Sequence, residues 1–562
     1  MDSSDPKMVP SEDLKPIWQP CVHPDAIPMN QYRKHVNEKF NLDLRNSHDL
    51  HKWSISSPQE FWYDLWSYVG LVPDLPAGTT RAYDAAIPMD EIPKFFENSR
   101  INYAENVLTQ PEVADDSLAL IGLREGQGLE GERWTWATLR EQVRKIRSAL
   151  QRSDVDAGDR VAALISTSNW SIAIFLAAAS LGAIFTSIAS DLGTEPAEVL
   201  FQYSSPSWVL WNIMVGHLAA GTTLVVYDGS PTFPKPEFML DIVQRHKVAY
   251  WGVSPRYLQQ LESRSLAIKQ KYDLSSLRMV QTGGSHLAAS QYHWFYQVFP
   301  STIHLTSVIG GTDLVTSWIG TDPAGPLYPG EIQLPMLGHD VDVADPVTGE
   351  SVKHLGVAGE FICRQPFPSM PVFMWGDEGN KRYKASYFER FEFPCWAQHD
   401  WASFNPVTGG SQVHGRSDGV LNPQGIRFGS SEIYSITEAQ SFNDTIETTL
   451  CVGRTRKEID DDESVFLFVV MRQGCRFDAA LDERLRSAIR SGLSARHVPR
   501  FVLPVKEIPM TVNGKKVETL VKETICTGEF PKRVSSTVVN PRCLEDFRQY
   551  YYIEETAPRA RL

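Results

Sequence analysis

Short apolar runs that alternate with segments of helical period restrict this chain more than any other feature. Arg160–Ser166, Thr223–Tyr227, Val248–Val253 and Arg278–Thr282 read as strands, while Trp170–Leu181 and Pro236–Arg245 carry the spacing of helices. Strands interleaved with helices predict an α/β domain built on mostly parallel sheets. Upstream, residues 15–70 are rich in aromatics (Trp18, Tyr32, Trp53, Phe61, Trp62, Trp66) and hold no strand-like run. They are expected to form helices and loops on the outside of that domain. From about Gly330 the pattern changes to short strands and turns, which predicts a β-rich subdomain. Past Gly415 a smaller α+β region follows, with a buried strand at Val465–Met471 and an amphipathic helix at Asp482–Gly492.

At 562 residues the chain is too long for a single core, so two or more domains are expected. A formal net charge of −14 speaks against nucleic acid or an anionic membrane surface as partner. The seven cysteines include no CxxC pair, which predicts neither a structural metal site nor a disulfide framework and fits a reducing compartment. Val161–Phe185 is the most apolar stretch, but Ser, Asn and Trp interrupt it; it reads as buried strand–helix–strand and not as a membrane span. Ala560-Arg561-Leu562 resembles a peroxisomal tripeptide, so a cytoplasmic or peroxisomal location is expected.

Four loops have the composition of ligand-binding segments. Gln281–Leu287 (QTGGSHL) and Gly310–Leu314 (GGTDL) each follow a strand, and paired glycines allow a ligand close to the backbone, although such turns also serve packing. Gly415–Tyr434 (GRSDGVLNPQGIRFGSSEIY) concentrates glycines with Arg416, Asp418 and Arg427. Arginine forks suit phosphate or ribose. In Ile508–Leu520 (IPMTVNGKKVETL) a tight turn at Asn513-Gly514 projects Lys515. An isolated lysine after a glycine turn is otherwise a solvated surface residue.

In this order, these segments resemble the adenylate-forming superfamily, and within it the acetoacetyl-CoA synthetases. The likeness extends to YRKHVNEKFNLDLRNSHDLHKWSISSPQEFWYDLW, RINYAENVL, WVLWNIMVGHLAAGTTLVVYDGSP, PGEIQ, GLSARHVP and NGKKVE. It implies three parts: an N-terminal helical, aromatic extension over residues 1–100, an AMP-binding domain over 101–417, and a mobile C-terminal domain over 418–562. It also implies an acid–CoA ligase of lipid, ketone-body or secondary metabolism. Such a ligase uses ATP, Mg2+ and CoA to activate a small carboxylic acid, acetoacetate above all, through an acyl-adenylate.

By motif position, Lys515 resembles the lysine that bridges carboxylate and α-phosphate. Arg427 resembles the arginine that reaches the phosphate, and Asp400 and Arg416 the pair on the ribose hydroxyls. Gly283, Gly284 and Ser285 are implied to line the adenine pocket, and Thr312 to meet the α-phosphate. Asp313 is implied to sit near magnesium, Asp418 at the hinge, Trp208 on the acyl-pocket wall with Trp211 beside it, and Gly425 along the CoA arm.

Two departures stand out. The family's Ser/Thr/Gly-rich loop ending in Pro-Lys, which wraps the outer phosphates, has no counterpart. SIASDLGTEPAEVLFQYSSPSWVLWN joins its two flanks directly, so the AMP-binding domain is shortened near 190–200. In QHDW, His399 stands where the family has glycine, as a surface turn residue or as a side chain that crowds the ribose. Besides a complete ligase, the sequence therefore leaves open a degenerate nucleotide- and CoA-binding paralogue without full adenylation. It also leaves open an enzyme of the thioester-forming half-reaction alone.

Overall fold

The computed structural model of the chain describes residues 15–185, 198–206, 208–264, 266–284, 287–421, 423, 428–456, 459–460, 462–511, 514–532, 534 and 537–553, with the backbone alone at Asp418. The shortened stretch near 190–200 falls largely on residues 186–197, and Ser285, Gly425, Arg427, Asn513 and the C-terminal tripeptide also lie outside the described residues.

The first sheet joins β1 (Leu118–Arg124), β2 (Glu132–Thr135), β3 (Val199–Gln202), β4 (Thr223–Asp228), β5 (Tyr250–Val253), β6 (Met279–Gly283), β7 (His304–Gly311), β8 (Thr316–Gly320) and β9 (Leu334–Pro335). Its nine strands run in the order β2-β1-β4-β3-β5-β6-β7-β8-β9. The six inner strands are parallel to one another, and β2, β8 and β9 add on antiparallel at the edges. Both faces are covered, as an all-parallel centre requires. Phe201, Val225, Trp251 and Val280 face the helices Phe238–Arg245, Pro255–Glu262 and Ala289–Val298. Leu120, Leu200, Leu224 and Val226 face Trp136–Arg152, Asn169–Ser180 and Val209–Gly216.

The N-terminal helices form where local signals start and stop them. Pro28–Phe40 has proline in its first turn and ends at Asn41 in the left-handed region, while Asn46 caps Ser47–Ser56 by accepting from the Asp49 amide. Tyr32, Val36, Leu50, Trp53 and Phe61 bury their contact faces. Trp18 stacks on His304 of β7 at 3.8 Å and pins this region to the sheet.

β10 (Val341–Ala344), β11 (Gly359–Cys363), β12 (Trp396–Phe404) and β13 (Ser411–Arg416) make an antiparallel four-stranded sheet, the β-rich part expected past Gly330. In the last part of the chain β15 (Ser464–Met471) lies between β14 (Ile446–Arg454) and β16 (Phe501–Val505). Side chains alternate along β15. Val465, Leu467 and Val469 pack towards the helix Ala479–Gly492, and Phe466, Phe468 and Val470 towards Glu518–Thr527.

One expected strand is not formed. Of Arg160–Ser166 only Arg160 is bridged, in parallel to Ile184, and Leu164 is fully exposed. The apolar run is intact, but among the described residues no strand continues beside it, and a strand without a ladder does not persist. Among the described residues no helix is long and apolar enough to cross a membrane.

Burial keeps several imidazoles neutral. Desolvation lowers His51, His217 and His339 to about 4 and His304 to about 3, against an ordinary 6.5. The unfolded chain takes up these protons as the pH falls past 6.5, whereas the folded chain resists until about 4 or below. Stability is therefore present above 6.5 and is lost downward through that window, by about 1.4 kcal/mol per pH unit for each histidine. Urea midpoints should fall steeply between pH 6.5 and 4.5; equal midpoints at these two values would contradict the neutral, buried state.

Candidate active site

The C-terminal ends of β6 and β7, the end of β13 and one turn of the last part of the chain converge, so the site lies outside the strand ends of an open parallel sheet. Gly284 follows β6 in the left-handed region, φ 87°. A β-carbon built there would lie 3.3 Å from Lys515 Cε and 3.3 Å from Trp208 Cζ2, so three of the expected residues meet at one point. Trp208 is held in place as the residue before the helix Val209–Gly216. Trp211 does not wall a pocket: it is wholly buried and packs edge-on against Phe175, because it lies within the helix Val209–Gly216 on its buried face, whereas Trp208 precedes that helix with extended backbone.

A tight turn presents Lys515. The Gly514 amide donates to the Thr511 carbonyl at 2.8 Å, and the Lys515 amide to Thr511 Oγ1 at 3.0 Å. The next residue fixes the turn from behind: Lys516 Nζ donates to Glu438 Oε1 at 2.6 Å and lies 3.4 Å over the Tyr434 ring. Desolvation pushes the Glu438 carboxyl up, but Lys516 and donors from Thr449 outweigh it and hold it below the usual carboxylate range. Lys515 itself is lowered by desolvation, with Asp400 opposing the fall and Arg416 adding to it. Both therefore lie within electrostatic reach of its ammonium.

Asp400 and Arg416 are register partners across β12 and β13, with Arg416 Nη1 3.6 Å from Asp400 Oδ1. Arg416 also donates to the Gln398 carbonyl at 2.8 Å. His399, between them, is in the left-handed region at φ 60°, which accounts for a glycine being the easy residue there. It is no solvated turn residue: it belongs to β12 and its Nε2 lies 2.8 Å from the Ser386 carbonyl. The other ring nitrogen, Nδ1, lies 4.0 Å from Glu360 Oε1.

Thr312 and Asp313 are exposed in the turn after β7. The Tyr387 hydroxyl donates to Asp313 Oδ2 at 2.5 Å, and the Tyr387 ring stacks on Trp396 at 3.9 Å. Neither Tyr387 nor Gln398 was legible as a site residue, since neither stands in a glycine-rich loop. Gly310 has a packing reason. A β-carbon there would lie 2.2 Å from the Thr316 carbonyl on β8, so close strand approach, and not ligand approach, demands glycine. Gly283 ends β6 against Val308. Among the described residues no group of three or more His, Cys, Asp or Glu gathers to hold a metal. Asp313 alone suits a magnesium ion whose remaining ligands are phosphate oxygens and water.

The hinge expected at Asp418 lies in the short turn Ser417–Gly419 that follows β13. Ser417 Oγ donates to Glu360 Oε1 at 2.8 Å on one side. On the other, Glu518 accepts from Ser430 at 2.9 Å and Tyr434 at 2.6 Å, close to Gly419.

A parallel sheet whose strand ends meet a lysine turn agrees with the AMP-binding, acid–thiol ligase class, to which the comparisons assign the chain. The family model described as AMP-binding enzyme matches residues 109–213 and 192–371. Acetoacetyl-CoA synthetase of Mus musculus is 30% identical over 668 aligned positions, covering 95% of this chain and 96% of the relative. A malonamoyl-CoA synthetase of Penicillium aethiopicum is 29% identical, covering 98% and 94%. An acetoacetyl-CoA synthetase structure from Streptomyces lividans superposes with a TM-score of 0.86 at 24% identity, covering 97% of this chain and all of that one. The chain belongs to the acetoacetyl-CoA synthetase family of AMP-binding enzymes.

Two of these findings bear on the shortened stretch. The family model matches in two pieces that overlap over residues 192–213. The mouse alignment runs over 668 positions, 106 more than the 562 residues of the chain, so at least that many positions of the relative face gaps.

Glu438→Ala should lower stability by about 3 kcal/mol, because it leaves Lys516 half-buried without its counter-charge. Adding Lys516→Met should recover much of the loss. Denaturant unfolding of the two variants checks this, and an unchanged midpoint in Glu438→Ala would contradict the pair's role.

Proposed function

We propose that the chain couples a short carboxylic acid to CoA through an acyl-adenylate, with ATP as the activating substrate. The observation that carries this reading is the convergence of Lys515 on Gly284 and Trp208, opposite the Asp400–Arg416 pair. In the first step a carboxylate oxygen attacks the α-phosphorus and pyrophosphate leaves. Negative charge grows at the α-phosphate, and a partly desolvated ammonium meets it with more force than one in water. In the second step the CoA sulfur attacks the acyl carbon and AMP leaves.

In this reading Lys515 bridges carboxylate and α-phosphate, and Arg427 reaches the phosphate. Asp400 and Arg416 hold the ribose. Gly283, Gly284 and Ser285 line the adenine, and Thr312 meets the α-phosphate. Asp313 takes part in holding Mg2+, and Gly425 lies along the CoA arm. Residues 418–562 turn about Asp418 between the steps, as small mobile domains do when one site serves two reactions. Trp208 closes the acyl pocket. The acetoacetyl and malonamoyl groups named for the relatives share a carbonyl on the third carbon, so the proposed substrate class is a short 3-oxo acid, acetoacetate first. Acetoacetate should then exceed butanoate and dodecanoate as substrate; faster turnover of dodecanoate would exclude a pocket closed by Trp208.

A second reading, a chain that binds nucleotide and CoA without completing adenylation, is favoured by the shortened stretch near 190–200, where the family model matches in two overlapping pieces and not as one. Acid-dependent exchange of labelled pyrophosphate into ATP separates the two. Exchange establishes the ligase, and thioester formation from supplied acyl-adenylate without exchange establishes the second half-reaction alone. AMP and ATP should bind with similar affinity where no cradle meets the outer phosphates, which calorimetric titration with each nucleotide and magnesium reads directly.

Lys515→Ala should abolish thioester formation from acid and ATP but spare it from synthetic acyl-adenylate. In the unsubstituted chain, kcat/KM for adenylation should fall as the pH rises through a pKa below the usual lysine range. Lys515→Arg should remove that alkaline limb. Equal loss in both half-reactions, or an unchanged limb, would contradict the assignment.

A further inference from the structure

The helix Pro255–Glu262 starts just beyond the C-terminal end of β5, beside the strand ends that carry the site. Its inner face is fixed. Ser254 caps it by accepting from the Tyr257 amide at 3.3 Å, and Tyr257, Leu258 and Leu261 are buried in the core. Gln291 of Ala289–Val298 donates to the Pro255 carbonyl at 3.3 Å. Its outer face meets the last part of the chain at two points. Gln259 Nε2 donates to the Glu438 carbonyl at 3.4 Å. Glu438 closes the helix Ser430–Thr437, so this carbonyl is one of those that a helix end leaves without an internal partner. The Arg256 side chain lies against the turn of Lys515: a β-carbon built on Gly514 would be 3.6 Å from Arg256 Nη1 and 3.7 Å from its Cδ. Positions 256 and 259 are three apart and share one face of the helix.

Both contacts bear on one unit, because Glu438 is also the carboxylate that holds Lys516 at 2.6 Å. Arg256 on Gly514, Gln259 on Glu438 and Glu438 on Lys516 close a ring of contacts around the turn. Stability gives no reason for Arg256. It is exposed, forms no ion pair among the described residues, and stands in the first turn of a helix, a turn that holds no acid and where the dipole disfavours a cation. By contrast, Ser417 bonds to Glu360, and Ser431 to the His414 carbonyl, on either side of the hinge expected at Asp418. A contact beside a pivot has little leverage over rotation, whereas one at the lysine turn acts on the group that has to be held.

We propose that the outer face of Pro255–Glu262 is the seat on which the last part of the chain rests while Lys515 is in the site, with Arg256 and Gln259 as positioning residues for the adenylating step. The kinetic part of this proposal rests on the reading in which Lys515 serves that step alone; the seat itself does not. Once the small part turns away for attack by the thiol, both side chains exchange their partners for water. They therefore favour one orientation over the other and add nothing to the second step.

The test uses the full chain carrying Arg256→Ala and Gln259→Ala together, with Gln260→Ala, on the next face of the same helix, as control. Acid-dependent exchange of pyrophosphate into ATP should fall about tenfold in the double variant, the worth of a hydrogen bond and a packed side chain. Thioester formation from supplied acyl-adenylate should fall far less, and the Tm should stay where it is. A second measurement needs no activity. With the lysines reductively methylated by isotope-labelled formaldehyde, the Lys515 resonance is identified by its absence in Lys515→Arg. It should titrate below the ordinary lysine range in the unsubstituted chain and return to that range in the double variant. Equal loss in both half-reactions, a lowered Tm with loss of both, or a Lys515 titration that the double variant leaves unchanged would overturn the proposal. If the unsubstituted chain shows no exchange, the ligase reading falls and the titration alone decides the seat. A return to the lysine range then supports it, and no change overturns it.

Discussion

The site depends on an ammonium group held against the end of a parallel sheet. Lys515 keeps its surface open to solvent, yet the protein atoms packed around it are enough to lower its pKa by desolvation. That position is sustained because adjacent lysines do opposite work on one turn. Lys516 turns inward, where Glu438 and the Tyr434 ring satisfy it, and so fixes the backbone from which Lys515 points out. Tyr434 also donates to Glu518, which holds Ser430 and approaches Gly419. The lysine turn, the helix Ser430–Thr437 and the turn Ser417–Gly419 thus share one polar network. A side chain lost from such a network is felt by the others in it.

The large part meets this turn with groups placed by regular structure. Asp400 and Arg416 oppose each other because β12 and β13 pair antiparallel in that register, so their spacing is a property of the sheet and not of a loop. Such placement leaves little side-chain freedom to be lost on binding. His399 shows the cost of the arrangement. The bulged strand needs a left-handed residue there, and a side chain other than glycine keeps that conformation with its ring anchored on the Ser386 carbonyl.

How much of this the sequence disclosed follows from whether a signal is local. The unbroken apolar run of β15 is legible because both faces of that strand are covered, and the parallel sheet is legible from alternation. Gly284 and Lys515 could be named from their loops, although nothing in the residues alone says that they touch. Arg160–Ser166 has the composition of β15 but lacks the neighbours, and pairing is not written in the strand itself. Trp208 and Trp211 look alike in sequence, and the start of a helix separates one at the site from one in the core. Tyr387 reaches Asp313 across the fold from a segment with no periodicity, so only the folded chain reveals it.

The shortening of the sequence near 190–200 divides the proposed chemistry unevenly. Expelling pyrophosphate places negative charge on the outer phosphates, in a chain whose net charge is already −14. Without fixed donors, in the proposed reading that charge is met by Mg2+ and by Lys515 and Arg416, and Arg416 itself adds to the lowering of Lys515. Losing one preorganised donor to developing charge typically costs about a hundredfold in rate. In the proposed reading, attack of a thiol on an acyl-adenylate makes no such demand, since AMP is the leaving group and its ribose and phosphate are met from β12, β13 and the loops after β6 and β7. In that reading the two half-reactions draw on different parts of the fold, and the shortening near 190–200 bears on the first.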